Sequence, residues 1–447
     1  MKQFYITFGI LLVCMTICYS QVGLVLPSHM DKDKISFELV NNLVIVPIEV
    51  NGDKLSFLLD TGVNSTILFG ISEADSLRVN NAKLIKVIGL GEGEGVVALK
   101  SENNELRIGE AIDWNHSINV IFEESLNFST RMGIPIHGIL GNDFFKNFVV
   151  KTDYTAKKLT FYDPLKYRNK RCNNCAELNL KFHNNKPYAN IKIATLDKTF
   201  EEITLLVDSG SSDALWLFEE EGMLSSDSKK YFDDFLGLGF SGNIFGKRSK
   251  LDQVWLGDFY LKEVKVAFPD KSATEGVNFF KDRDGSIGGD LLKRFTVTMD
   301  YQSKTMTLKK NRNFSDSFFY NMAGLTIEHD GVDVVTELTT RRNFDFASSK
   351  NRETGTASQA VTDVSVFTQI SLVPRYVIVN IRKGSPAQLA GLEIGDEIVT
   401  INGDPAHKIK LFELNALFSS KAGKRINLKV KRNNLLFKAG FTLKRVI

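Results

Sequence analysis

Two tripeptides in this chain could do acid–base chemistry together: Asp60-Thr61-Gly62 and Asp208-Ser209-Gly210. Each ends an apolar run, Phe57-Leu58-Leu59 in the first case and Leu205-Leu206-Val207 in the second. A single Asp-Thr/Ser-Gly turns up by chance in roughly one chain in five of this length. A pair is different, because two carboxylates brought face to face cannot both ionise; the like charges raise one pKa and lower the other. Such a pair shares one proton and holds a water between its oxygens. The ionised member takes a proton from the water while the protonated member polarises a carbonyl, which is hydrolysis without a covalent intermediate. Gly62 and Gly210 leave room for the two turns to approach, and the hydroxyls of Thr61 and Ser209 can hydrogen-bond across to the opposite turn. This chemistry calls for no cofactor.

The aspartates need matching scaffolds, and the sequence around them repeats. They lie 208 − 60 = 148 residues apart. Gly89-Leu90-Gly91 returns as Gly237-Leu238-Gly239, and Leu106-Arg107-Ile108-Gly109 as Val254-Trp255-Leu256-Gly257, at the same offset. Gly138-Ile139-Leu140-Gly141-Asn142-Asp143 returns as Gly285-Ser286-Ile287-Gly288-Gly289-Asp290, and Asp153-Tyr154 as Asp300-Tyr301. Two homologous halves explain this, over 35–165 and 178–310. In the first, apolar residues 43–50, the turn Asn51-Gly52-Asp53 and residues 55–59 predict a β-hairpin that delivers Asp60. Gly89, Gly91 and Gly93 form a glycine-rich tip between short strands at 84–88 and 96–99; Gly237 and Gly239 open its counterpart over 237–246. A flexible hairpin of this kind closes over a cleft and excludes water. Glu92 and Glu94 argue against a phosphate cradle there. A helix is predicted over 143–148, then a hairpin through residue 162. Asp143 and Asp290 read as helix caps, and Asp153 and Asp300 as turn residues.

Lys2, an apolar run over 4–17 and Cys18-Tyr19-Ser20 read as a signal peptide over 1–20, too short for a comfortable membrane span. No later stretch approaches the roughly 20 apolar residues a span needs. The expectation is an exported protein, periplasmic, secreted or at the cell surface, and monomeric, since one chain supplies both aspartates. A net charge of +3 with dispersed basic residues argues against a nucleic-acid partner. Thirty-three phenylalanines fit a strand-rich chain. Cys172 and Cys175 fall between the halves, where an oxidising compartment favours a local disulfide. A zinc site there lacks two further ligands, and no His-Glu-x-x-His occurs. The histidines offer no triad order for a serine protease.

The two halves resemble the aspartic peptidase family in its retropepsin-like form, fused in tandem. The resemblance rests on Asp60-Thr61-Gly62 and Asp208-Ser209-Gly210, and on Ile139-Leu140-Gly141 and Ser286-Ile287-Gly288 as the apolar-apolar-Gly element beneath each aspartate. Val63 and Ser286 depart from the family pattern, and no tyrosine occurs in the first glycine-rich tip. The resemblance implies a mainly β, bilobal double-barrel fold, catalytic Asp60 and Asp208, and a polypeptide substrate. Asp60, in the more apolar surroundings, is expected to carry the shared proton more of the time.

Residues 318–447 resemble a PDZ domain, an α+β module. The resemblance is carried by Arg382-Lys383-Gly384-Ser385-Pro386-Ala387, Ala390-Gly391-Leu392 and Gly395-Asp396-Glu397-Ile398, with Asn402-Gly403 as a hairpin turn. It implies a groove-lining helix over 411–418 and a loop at Met322-Ala323-Gly324-Leu325-Thr326-Ile327 that holds a peptide's C-terminal carboxylate, with Gly324, Leu325 and Ile327 as the binding residues. An insertion near 330–372, polar around 339–362, is either a loop over the groove or a sign that the carboxylate loop lies elsewhere. Two function classes remain: an exported aspartic endopeptidase whose PDZ domain binds a substrate or partner C-terminus, and a peptide-binding scaffold with little turnover.

Overall fold

The strand Asp53–Leu59 carries Asp60 out of an eight-stranded sheet, and the strand Phe200–Val207 carries Asp208 out of the matching one. The computed structural model describes residues 23–69, 80–87, 96–122, 128–169, 172–194, 200–218, 231–239, 242–274, 280–345 and 361–447. The leader at 1–20 and the glycines Gly89, Gly91 and Gly93 lie outside the described residues. Cα proximity divides the chain into 1–322 with 445–447, and 323–444. The architecture is mainly β.

The halves repeat strand for strand. The last residues of each aspartate strand pair in parallel with a short strand, Gly138–Leu140 in one lobe and Gly285–Ile287 in the other. A third segment, Thr66–Leu68 or Leu215–Leu217, pairs antiparallel on its far side. Each aspartate thus leaves the end of a strand pinned from both sides by buried Val, Ile and Leu. The backbones are so close that a Cβ on Gly285 would lie 1.9 Å from the Trp216 carbonyl oxygen. The closing hairpins join the lobes: Val149–Asp153 pairs antiparallel with Phe295–Asp300, at the centre of a layer built from both halves. Alternate residues of these strands, Val150, Leu159, Phe161, Val297, Met299, Met306 and Leu308, meet in one core shared by both lobes.

Several expectations change. The helix over 143–148 is a single turn, Asn142–Phe145, because Val149 and Val150 are claimed by the shared layer. Asp143 and Asp290 do not cap; the N-caps are Gly141 and Gly288, with no side-chain cap bond. Asp143 instead accepts the Thr66 N–H at 3.0 Å and pairs with Lys146. Asp290 is buried between Lys265 at 2.6 Å and Lys293 at 2.7 Å. Asp153 does hold its turn, accepting from the N–H groups of Thr155 and Ala156. Cys172 and Cys175 form a disulfide.

In the unit 323–444, the polar stretch is flanked by strand, not loop. Leu325–Asp345 and Val361–Ile381 form one long antiparallel hairpin, paired out to Asp345 opposite Val361. Its outer part has an apolar face, with exposed Val332 and Val334 opposite Pro374 and Leu372. Strands Glu397–Ile401, Arg425–Arg432 and Leu435–Thr442 complete the sheet, and the helix Leu411–Phe418 packs against its Leu325–Asp345 edge. No helix among the described residues is long and apolar enough to cross a membrane.

Burial alone would raise the Asp290 carboxyl, but its two lysines hold it well below the usual carboxylate range. The folded state therefore keeps Asp290 ionised at a pH where the unfolded chain takes up a proton, near pH 4. This stabilisation is present above that pH and is lost as pH falls below it. Asp290→Asn is expected to cost about 3 kcal/mol at pH 7, the cost of stranding buried charge. In urea unfolding the gap between variant and wild type should narrow as the pH is lowered from 5 to 2.

Candidate active site

The two aspartate turns meet at the lobe interface and hold each other by hydrogen bonds that cross it. Thr61 Oγ1 donates to the Val207 carbonyl at 2.5 Å, and Ser209 Oγ donates to the Leu59 carbonyl at 2.8 Å. Each hydroxyl also accepts from the opposite backbone: Thr61 N–H to Ser209 Oγ and Ser209 N–H to Thr61 Oγ1, both at 3.0 Å. Within each turn the carboxylate accepts from its own glycine, Gly62 N–H to Asp60 Oδ1 at 2.6 Å and Gly210 N–H to Asp208 Oδ1 at 3.0 Å. The backbone N–H groups of Asp60 and Asp208 reach the carbonyls of Leu140 and Ile287 beneath them. The position and plane of both carboxyls are thereby set by main-chain partners.

The glycines are required by the approach. A Cβ on Gly210 would sit 2.1 Å from Asp60 Oδ2, and one on Gly62 3.0 Å from Asp208 Oδ1. Each lobe braces its turn differently. In the first, Thr66 Oγ1 lies 2.7 Å from His116 Nε2, and His116 Nδ1 lies 2.8 Å from Asp113. That hydroxyl–imidazole–carboxylate chain is buried throughout, so no substrate reaches Thr66. In the second, buried Arg248 ties Asp213 at 2.7 Å to Asp234 at 2.8 Å, and the Trp216 indole N–H donates to Asp213. Asn42 of the first lobe donates to the Ser212 carbonyl at 2.8 Å, stitching the interface beside the site.

The carboxyls of Asp60 and Asp208 are hydrogen-bonded to each other. Burial, then the Asp208 charge, pushes Asp60 up to about 8. Burial raises Asp208 too, but Arg283 and Lys186 oppose it more strongly there. Both carboxyls are thus pushed up, Asp60 with less opposition from nearby cations. Sequence reading missed Lys186, Tyr188 and Arg283, which line the Asp208 side. An isolated cation carries no pattern of its own; laying Asn41-Asn42-Leu43 over Asn184-Asn185-Lys186 is the comparison that finds the first of them. Of the flap glycines, Gly237 sits at a β-bulge after Phe235 and Gly239 pairs with Gly242 near the hairpin end. Among the described residues, no cluster of three or more His, Cys, Asp or Glu is placed to hold a metal ion.

In the second unit, Gly324 accepts from the Arg382 N–H at 2.9 Å, and Leu325 pairs with Ile381. The side chains of Leu325 and Ile327 are buried in the domain core. Their strand is the edge beside the helix Leu411–Phe418, so what it presents along that edge is backbone.

Residues 46–144 match the aspartyl protease family model, and residues 347–439 match the PDZ domain model. The first match holds Asp60 and its supporting strands; the second begins beyond Gly324, Leu325 and Ile327. The chain thus carries a region similar to aspartyl proteases and, C-terminal to it, a region similar to PDZ domains. Among solved structures, the aspartic proteinase from Irpex lacteus is similar at 13% identity and a TM-score of 0.43, covering 64% of this chain and 99% of its own. No curated protein matches the sequence.

A carboxyl whose pKa rises on folding stabilises the protein fully below its unfolded pKa, and that contribution is lost as pH climbs through the folded value. For Asp60 the window runs from about 4 to about 8. Asp60→Asn removes the titration. Its melting temperature should match wild type near pH 4, exceed it increasingly toward pH 8 and then level off in a pH series of thermal melts.

Proposed function

We propose that the protein is an exported aspartic endopeptidase that cuts peptide bonds with Asp60, Asp208 and a water held between them, and that its PDZ domain binds the C-terminus of a substrate or partner. The observation that carries this is the hydrogen-bonded carboxyl pair, fixed by reciprocal Thr61 and Ser209 bonds across the lobe interface. Protonated Asp60 donates to the scissile carbonyl. Asp208 takes a proton from the water as its oxygen attacks, giving a neutral tetrahedral diol. Collapse breaks the C–N bond: Asp208 gives its proton to the departing amine nitrogen, a diol hydroxyl returns its proton to Asp60 as the carbonyl reforms, and the pair is left sharing one proton as before. The aspartyl protease and PDZ matches support a peptidase-type reading, and the Cys172–Cys175 disulfide fits an oxidising compartment. One chain supplies both carboxyls, so a monomer suffices.

The test is digestion of a diverse peptide pool by wild type, Asp60→Asn and Asp208→Asn across acid to neutral pH, read by mass spectrometry. Wild type should yield internal cleavages, and each variant should lose at least 1000-fold in rate. Cleavage that survives either substitution removes the dyad. Folded wild type that cuts nothing at any pH favours the scaffold reading. For the second unit, a peptide with a free C-terminal carboxylate should bind while its amide does not, measured by fluorescence anisotropy.

A further inference from the structure

Backbone bonds around the two aspartate strands recur between the lobes, so the side-chain positions where the lobes differ stand out. In the first lobe the His137 N–H donates to the Ser56 carbonyl, and the Phe69 N–H to the His137 carbonyl. In the second, Asp284 donates to Thr204 and Phe218 to Asp284 in the same way. The side-chain bonds match as well: Ser56 N–H to His137 Nδ1, and Thr204 N–H to Asp284 Oδ2. Arg283 therefore stands where the first lobe has buried Ile136. At the other side of the aspartate strand, each lobe makes a two-residue turn of left-handed asparagines, Asn41-Asn42 and Asn184-Asn185. Val40 pairs with Leu43 across one turn and His183 with Lys186 across the other. Ile45 then faces Leu58, as Tyr188 faces Leu206. Leu43, Ile45 and Ile136 in one lobe are thus Lys186, Tyr188 and Arg283 in its twin.

We infer that Lys186, Tyr188 and Arg283 form an anion subsite beside Asp208 that takes a carboxylate of the bound peptide, either an acidic side chain or a chain end. The inference rests on reading the cleft as a peptide-binding site. Arg283 is held in place, its Nε donating to the Gly285 carbonyl at 2.9 Å and its guanidinium 5.1 Å over the Phe218 ring. Tyr188 is packed on Phe280 with ring centroids 5.1 Å apart. Lys186 is only partly exposed, and the charges that bear on it are Arg283 and the two dyad carboxyls. Burial and Arg283 hold its basicity down while the dyad supports it. A second carboxylate arriving with the substrate relieves the repulsion between the two cations and pairs with groups already partly dehydrated, where ion pairing is strongest.

The subsite is tested with peptides that cannot be cut, in which a hydroxyl-bearing carbon replaces the scissile carbonyl. Glu or its neutral twin Gln is scanned through three residues on either side, and one pair ends close to the isostere as free acid or as amide. Calorimetry on wild type should show at least one acid-bearing ligand binding at least tenfold tighter than its neutral twin. Gain from Glu identifies a side-chain subsite, and gain from the free end a terminal one; both support the assignment. Lys186→Met, which restores the apolar character of Leu43, should bring the ratio of acid to neutral-twin affinity to about one, and Lys186→Arg should retain the preference. Equal affinity of every acid and neutral twin for wild type overturns the subsite and leaves the peptidase reading intact. Failure to bind any of these ligands overturns both.

Discussion

Two carboxyl groups in hydrogen-bond contact inside a cleft are costly to build, and most of their surroundings answer that cost. Two full charges about 4 Å apart repel by about 4 kcal/mol at an effective dielectric of 20. A shared proton removes that repulsion, and burial favours keeping the proton. Sharing works only if the carboxyls cannot swing apart. The protein therefore ties each one to main-chain groups and ties each turn to the opposite strand through a hydroxyl. Main-chain partners suit the task because their positions are set by the sheets and not by rotamers. The rest of the first unit can be read as the apparatus that brings two strand ends to one point.

A fused pair of similar lobes meets that demand with little new sequence, since one solution serves twice. The same parallel pairing beneath each aspartate and the same backbone bonds around it recur in both halves. The shared layer, with Val149–Asp153 against Phe295–Asp300, makes the interface part of one core and not a docking of two. Motion between lobes would disturb the dyad, and a common core of alternating Val, Leu, Phe and Met resists it.

Much of this was legible because the chemistry restricts residue types. Asp60 and Asp208 need a small hydroxyl residue and a glycine after them, so the motif survives in both copies and announces the site. The reciprocal bonds of Thr61 and Ser209 follow from their position and chemistry. Packing competition was not legible: Phe144, Phe145 and Phe148 look like a helix face, yet the strand that starts at Val149 and pairs Val150 with Met299 of the other lobe ends the helix after one turn. Asp290 looks like a cap because one of its two partners, Lys265, lies 25 residues away by number, 290 − 265, on a distant strand. The long hairpin leaves only a faint trace, Val364, Val366, Ile370 and Leu372 at even spacings, masked by the polar composition around it.

Perfect symmetry would itself be a handicap for a hydrolase acting on peptides. A peptide has direction, and a cleft with identical lobes would accept it either way with no preference for which aspartate holds the proton. The replacement of Leu43, Ile45 and Ile136 by Lys186, Tyr188 and Arg283 breaks the tie at the level of charge. The cations oppose the rise of the Asp208 pKa more than that of Asp60, which in the proposed reaction favours the proton on Asp60. The same field that chooses the base also distinguishes the two ends of the cleft. In the proposed reaction, proton placement and peptide orientation are therefore one property of the second lobe, acquired by substituting side chains on a backbone that stayed the same.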